Sequence, residues 1–257
     1  MNAGKLIGIV GGLGPYAGVD LVRTIFGQTR AASDQEHLPV ALLSIPGKIP
    51  DRTSFLLSGK HDNPAYAITE IILALEKIGA SAVGIPCVTT HAPKIFGTIL
   101  RELEKAGSKL RPINIINEMS KFICTNYPHI TRLGILGTIG AYQSGVFLNL
   151  IDQKKSKLVL PSQSLQNEVH DAIYNPKYGI KAQCNPINPI ARDKLIKAID
   201  QLGNLGAEAI VLGCTEIPLA ITEKIIESRP TIDPVLILAR ALIREIDPKK
   251  LAPLDVG

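Results

Sequence analysis

The chain is written twice. Ile7-Gly8-Ile9-Val10-Gly11 returns as Leu133-Gly134-Ile135-Leu136-Gly137, displaced by 126 residues, and Gly79-Ala80-Ser81-Ala82-Val83 returns as Gly206-Ala207-Glu208-Ala209-Ile210, displaced by 127. Each copy of the second segment leads to a cysteine, Cys87 and Cys214, and these are also 127 residues apart. A repeat of supersecondary size implies two similar lobes related by a pseudo-twofold. Short apolar runs alternate with amphipathic stretches, which predicts an α/β fold with mostly parallel sheets flanked by helices and an active site in the interlobe cleft. Strands are expected at Leu6 to Val10, Val40 to Ser44, Ala82 to Ile85, Ile113 to Ile116, Leu133 to Leu136 and Ala209 to Leu212. Helices are expected at Ala17 to Arg30, Ala65 to Ile78, Pro93 to Ala106, Ile115 to Tyr127, Tyr142 to Gln153, Pro189 to Leu205 and Pro234 to Ile246. The division expected is a first lobe over 1-108, joined by a C-terminal helical segment 221-257, and a second lobe over 109-220.

With 257 residues, 46% of them hydrophobic, such a chain can bury a sizeable core. The net charge of +5 is dispersed and lacks a basic block with interleaved aromatics, so nucleic acid is not an expected partner, whereas a small anion is. The opening Met1-Asn2-Ala3-Gly4-Lys5 runs directly into a short apolar strand, which predicts neither a signal core nor a membrane span and hence a cytoplasmic protein. The four cysteines form no CxxC pair and no zinc spacing, so free thiols and no metal are expected. Cys124 and Cys184 lack the repeat relationship and are read as structural or incidental.

Residues beyond the carboxyl ends of parallel strands line ligand crevices, which would set Cys87 and Cys214 facing each other across the cleft. Inverting a stereocentre by proton transfer requires a base on one face of the carbon and an acid on the other. A thiol, with an unperturbed pKa of about 8.5, serves as either after a modest shift. The α-proton of an amino acid is very weakly acidic, so a dry cleft must also stabilise the carboxylate as it takes up charge. The turn Gly11-Gly12-Leu13-Gly14-Pro15 offers backbone N–H groups, and Thr89, Thr90, Thr138 and Thr215 offer hydroxyls near helix starts. Helix capping explains the same threonines equally well. Nothing in the sequence suits pyridoxal phosphate, and no cofactor is expected.

These residues, with Asp34-Gln35-Glu36-His37, Ile49-Pro50-Asp51-Arg52-Thr53, Pro86-Cys87 through Thr89 and His91, Ser144-Gly145, Gly213-Cys214-Thr215-Glu216 and Ile232-Asp233-Pro234, resemble the aspartate/glutamate racemase family along most of the chain. The resemblance implies cofactor-independent racemisation of an acidic amino acid, aspartate favoured over glutamate. It makes Cys87 and Cys214 the catalytic pair and Arg52 and Lys181 the ligands of the substrate's carboxylates. His91 and Glu216 are expected either to orient the thiols or to serve as structural hydrogen-bonding groups. The chain departs from the family at Val88, a substrate-contact position where Asn is common, and at Ala141, where many relatives carry Thr. A homodimer is the expected assembly.

Two other classes fit less well. A different cysteine-dependent isomerase or a decarboxylase of the same superfamily is one, although a decarboxylase needs a single protonating thiol. A binding protein descended from a racemase is the other. A dinucleotide-binding site at Gly12-Leu13-Gly14 is disfavoured by Pro15 and by the spacing to Gly18.

Overall fold

The structure, a computed structural model, describes residues 6–59, 62–151 and 156–254. The chain runs β1 (Leu6–Gly11), α1 (Pro15–Gly27), β2 (Val40–Ser44), α2 (Arg52–Ser58), α3 (Ala65–Lys77), β3 (Ala80–Gly84), α4 (Pro93–Lys105), α5 (Ile115–Asn126) and β4 (Arg132–Leu136). It continues with α6 (Ile139–Gln143), β5 (Lys157–Val159), α7 (Gln163–Tyr174), α8 (Pro189–Asn204), β6 (Ala209–Leu212), α9 (Ile217–Ala220), β7 (Ile225–Ile226), β8 (Arg229–Ile232) and α10 (Pro234–Ile246).

The first sheet has the order β2-β1-β3 and the second β5-β4-β6-β8-β7, so the order of one is repeated within the other. All neighbouring pairs are parallel except β7 with β8. The register repeats as well. Gly8 pairs with Val83, and Gly134, its counterpart, pairs with Ile210, the counterpart of Val83. A Cβ on Gly8 would press on Leu75 and Ala80, and one on Gly134 would press on Leu202 and Ala207, again residues 127 apart. Thus the duplication legible in the sequence extends to the helix that packs on each central strand.

Period-two alternation sends successive side chains to opposite faces. Ile7 and Ile9 of β1 and Leu133 and Ile135 of β4 enter one central core with α1, α5 and α10, which lie between the sheets. Val10 and Val83 face outward onto α3 and α4, while Leu136, Ile210 and Leu212 face outward onto α7 and α8. The helix α10 packs on α1, β3 and α5, whereas β7 and β8 extend the second sheet. No described helix is long and apolar enough to cross a membrane.

Two expected elements are replaced. Ile113 to Ile116 is not a strand: Ile113 donates its backbone N–H to Val83 at 2.9 Å, the neighbouring Pro112 forms an isolated bridge with Val83, and α5 begins at Ile115. Asn114 accepts hydrogen bonds from the N–H groups of Ile116 and Asn117, and this cap outweighs the β-branched composition. The helix expected over Tyr142 to Gln153 is α6 followed by a 3-10 turn at Val146–Leu150, because Gly145 adopts a left-handed conformation (φ +69°) between them. Asp152 and Gln153 lie outside the described residues, as do Met1 to Lys5 and the end of the expected 221-257 segment.

Candidate active site

Cys87 follows β3 and Cys214 follows β6, the equivalent strands of the two sheets. Their loops touch. The Thr215 hydroxyl donates to the carbonyl of Pro86 at 2.9 Å, so the residue after one cysteine is bonded to the residue before the other. Nearby, the Thr89 and Thr138 hydroxyls lie 3.3 Å apart, and Thr138 also caps α6 through the N–H of Ala141. The threonines named from sequence therefore join the two strand-end regions. Thr90 differs: its hydroxyl is buried without a partner among the described residues.

Cys214 is buried and donates its S–H to Glu216 Oε2 at 2.9 Å. Burial first, and then the charge of Glu216, push this thiol well above its ordinary range. Glu216 stays ionised even though burial opposes it, because Lys181 and the Cys214 thiol hold its carboxyl below the usual value. Lys181 forms an ion pair with Glu216; burial pulls its pKa down, but Glu216 and Cys214 more than offset this and raise it. Glu216 thus links a thiol to a cation.

Gly14 makes room for that link. Its backbone is extended, so a side chain would not strain φ. However, a Cβ at this position would overlap the Glu216 carboxylate and stand 3.3 Å from Lys181 Nζ. The preceding carbonyl, of Leu13, accepts from Lys181 Nζ at 3.3 Å and from Arg52 Nη2. One backbone oxygen therefore holds both cations expected to read carboxylates.

Arg52 is the first residue of α2 and is 6% exposed. Asp51 caps that helix by accepting the N–H of Ser54 at 2.7 Å. Burial lowers the Arg52 pKa, but the groups around it, Cys87, Tyr174, Asp51 and Glu216 in that order, raise it overall. Its Nε is buried without a partner among the described residues, a donor that a ligand oxygen would satisfy. A recess of about 100 Å³ lined by Leu13, Gly14, Lys181, Cys184 and Glu216 opens beside these groups. A larger hollow of about 510 Å³ between α5 and α10 contains none of the expected site residues.

Other expected residues sit at the margin. Gly11 packs against Leu42 and Ser44, and Gly12 (φ +89°) against Ile45 and Pro46, so both glycines bring the first turn close to β2. Val88 and Ala141 are fully buried in the central core. His91 meets the carbonyls of Cys87 (3.0 Å) and Ile113 (3.3 Å) and not a thiol, and burial depresses its pKa to about 4. Sequence reasoning missed the Leu13 carbonyl, which no side-chain motif announces. It also missed Tyr174, whose hydroxyl contacts are more than a hundred residues away. Among the described residues, no group of three or more His, Cys, Asp or Glu side chains could hold a metal ion.

Residues 10–242 match the Asp/Glu/hydantoin racemase family. An aspartate racemase from Picrophilus torridus is 27% identical, with a TM-score of 0.78 over 95% of this chain and 94% of that one. An aspartate racemase homologue from Pyrococcus horikoshii has 21% identity and a TM-score of 0.69 (93% and 98% covered). A glutamate racemase from Bacillus anthracis has 16% identity and a TM-score of 0.64 (98% and 85% covered); at these lower identities the likeness is one of fold.

Proposed function

The chain belongs to the Asp/Glu/hydantoin racemase family, and from that premise we propose that it racemises an acidic amino acid, aspartate first, without a cofactor, through Cys87 and Cys214. The observation that carries the reading is the bond from Thr215 to the carbonyl of Pro86, which joins the two cysteine loops. Similarity to the Picrophilus torridus aspartate racemase supports the choice of substrate.

In one direction a Cys87 thiolate removes the α-proton, and the electron pair of the broken C–H bond passes into the substrate carboxylate. Cys214 then gives its proton to the opposite face of the same carbon. The products are the inverted amino acid, a Cys87 thiol and a Cys214 thiolate, with Lys181 balancing the new negative charge beside Glu216. The reverse direction exchanges the two roles. Arg52 and Lys181 bind the carboxylates, releasing the Leu13 carbonyl as they do so. Two reduced thiols suit a reducing, cytoplasmic setting.

The assembly we read is a homodimer through α1 and the β2 edge. Tyr16, Val19 and Phe26 are exposed there, and Val22, Val40 and Leu42 line a groove of about 460 Å³. Asp20 and Arg23 lie on the same helix three residues apart, so an acid on one copy can meet a base on the other across a twofold.

Incubation with the L- and D-forms of aspartate and glutamate in heavy water, followed by chiral analysis, tests the mechanism. The parent should invert one of these pairs and exchange its α-proton. Cys87→Ser and Cys214→Ser should each lower racemisation by about two to four orders of magnitude, since a serine hydroxyl is too weak a base. Each variant should retain exchange on the one enantiomer that faces its remaining thiol. Substantial racemisation surviving either substitution would overturn the two-thiol mechanism.

A further inference from the structure

Tyr174 lies at the last residue of α7, beyond the second sheet, yet its hydroxyl reaches α2 of the first lobe. It donates to Asp51 Oδ2 at 3.1 Å and lies 3.4 Å from the Thr53 hydroxyl. Burial raises the pKa of this phenol, so it keeps the proton that the first bond requires. Lys181 Nζ stands 5.4 Å from the centre of the same ring, within range of a cation–π attraction. His170, one helical turn earlier, stacks on the ring at 4.6 Å.

Asp51 and Thr53 flank Arg52 in sequence, and Asp51 is the cap on which the position of Arg52 depends. One side chain therefore touches the support of Arg52 with its hydroxyl and Lys181 with its ring face. The contact with α2 is close elsewhere too: a Cβ on Gly140 of α6 would come within 2.8 Å of Thr53 Cα, so the second lobe clasps α2 on both sides of the pair. We infer that Tyr174 is a positioning residue that fixes the separation of Arg52 and Lys181 and thereby sets which dicarboxylic amino acid the site accepts by chain length. The inference rests on the reading of Arg52 and Lys181 as carboxylate ligands.

Tyr174→Phe removes the two hydroxyl contacts and keeps the ring beneath Lys181, whereas Tyr174→Leu removes both. KM and kcat for aspartate and glutamate, together with calorimetric Kd values for both amino acids and for succinate, separate the effects. Tyr174→Phe should raise KM and Kd for the preferred substrate about five- to tenfold with little change in kcat, as expected for loss of uniform binding. The ratio of kcat/KM between aspartate and glutamate should move towards one. Tyr174→Leu should weaken binding further. A purely structural residue would lower thermal stability and leave KM and the substrate ratio at parental values; that result, or a parental Kd in Tyr174→Phe, overturns the inference. Failure of the racemase reading looks different. The parent would then exchange no α-proton in heavy water, while a Kd that still responded to Tyr174→Phe would uphold the positioning role. A parent that binds no dicarboxylate would overturn both.

Discussion

Glu216 has two partners at once, the Cys214 thiol and Lys181. A carboxylate so placed acts on the thiol in two opposed ways. It accepts the S–H hydrogen bond, and its negative charge disfavours forming a second anion beside it, which contributes to the raised thiol pKa after burial. In Glu216→Gln the charge disappears while a hydrogen-bonding side chain of similar size remains. The Cys214 ionisation should therefore move to lower pH. In kcat/KM measured against pH for each enantiomer, the limb governed by Cys214 should shift towards acid in the variant. A limb that stays put would remove Glu216 from any role in setting that thiol, and one that moves towards alkali would reverse the sign assigned to its charge. Arg52 presents the converse situation. Its charge was expected from the Asp-Arg-Thr triplet, but the resting partner of that charge, a backbone oxygen 39 positions earlier, was invisible because every residue carries one.

Short elements hold the site, and their ends explain why sequence patterns located some of them and missed others. Helix α2 is seven residues long, below the length at which apolar periodicity speaks, and what starts it is the Asp51 side chain. The capping residues Asn114 and Asp233 act alike at α5 and α10, each accepting two backbone N–H groups. The four-residue turn Val88–His91 after Cys87 is fixed differently, by His91. An imidazole neutral at ordinary pH carries one N–H, yet both its nitrogens face carbonyl oxygens, so protonation is opposed by burial more than by a lack of acceptors. Because the folded pKa is depressed from 6.5 to about 4, the unfolded chain binds the proton first as pH falls. The stability that His91 contributes by staying neutral is thus present above 6.5 and lost as pH falls towards about 4, with a total on the order of 3 kcal/mol. His91→Gln lacks this dependence. In chemical denaturation, the stability of the parent relative to His91→Gln should decline over that interval, and a difference independent of pH would refute the assignment. Asp233, raised by burial to about 6, has the opposite sign over much the same range, which is why the comparison uses the variant and not the parent alone.

At the scale of the whole molecule, the repeat was legible because glycine and alanine at equivalent places serve equivalent packing. Gly8 against Leu75 and Ala80, and Gly134 against Leu202 and Ala207, leave little freedom for either copy to drift. What the repeat does not contain could not be read from it: among the described residues β7 and β8 have no counterpart strands beside the first sheet, and α10 fills the space between the sheets. The β2 edge has a counterpart in β5, so the repeat alone does not single it out as an interface, and the dimer read there has a direct test. Val19 is 56% exposed, and Val19→Glu would place a carboxylate in each half of a closed interface, where an unpaired charge costs several kcal/mol. By light scattering the parent should be a dimer, and the variant, with an unchanged circular dichroism spectrum, a monomer whose dissociation constant has risen by at least about a hundredfold. A monomeric parent, or a variant that dimerises as tightly, would rule this face out. The missing side chain of Gly14 ties together two places far apart in the chain. Since the Glu216 carboxylate occupies the space that a methyl group on residue 14 would take, an alanine there would push that carboxylate from its place although 202 positions separate the two. The first turn and the loop after β6 therefore share one volume, and a side chain added in the one would shift the acid that anchors Lys181 in the other.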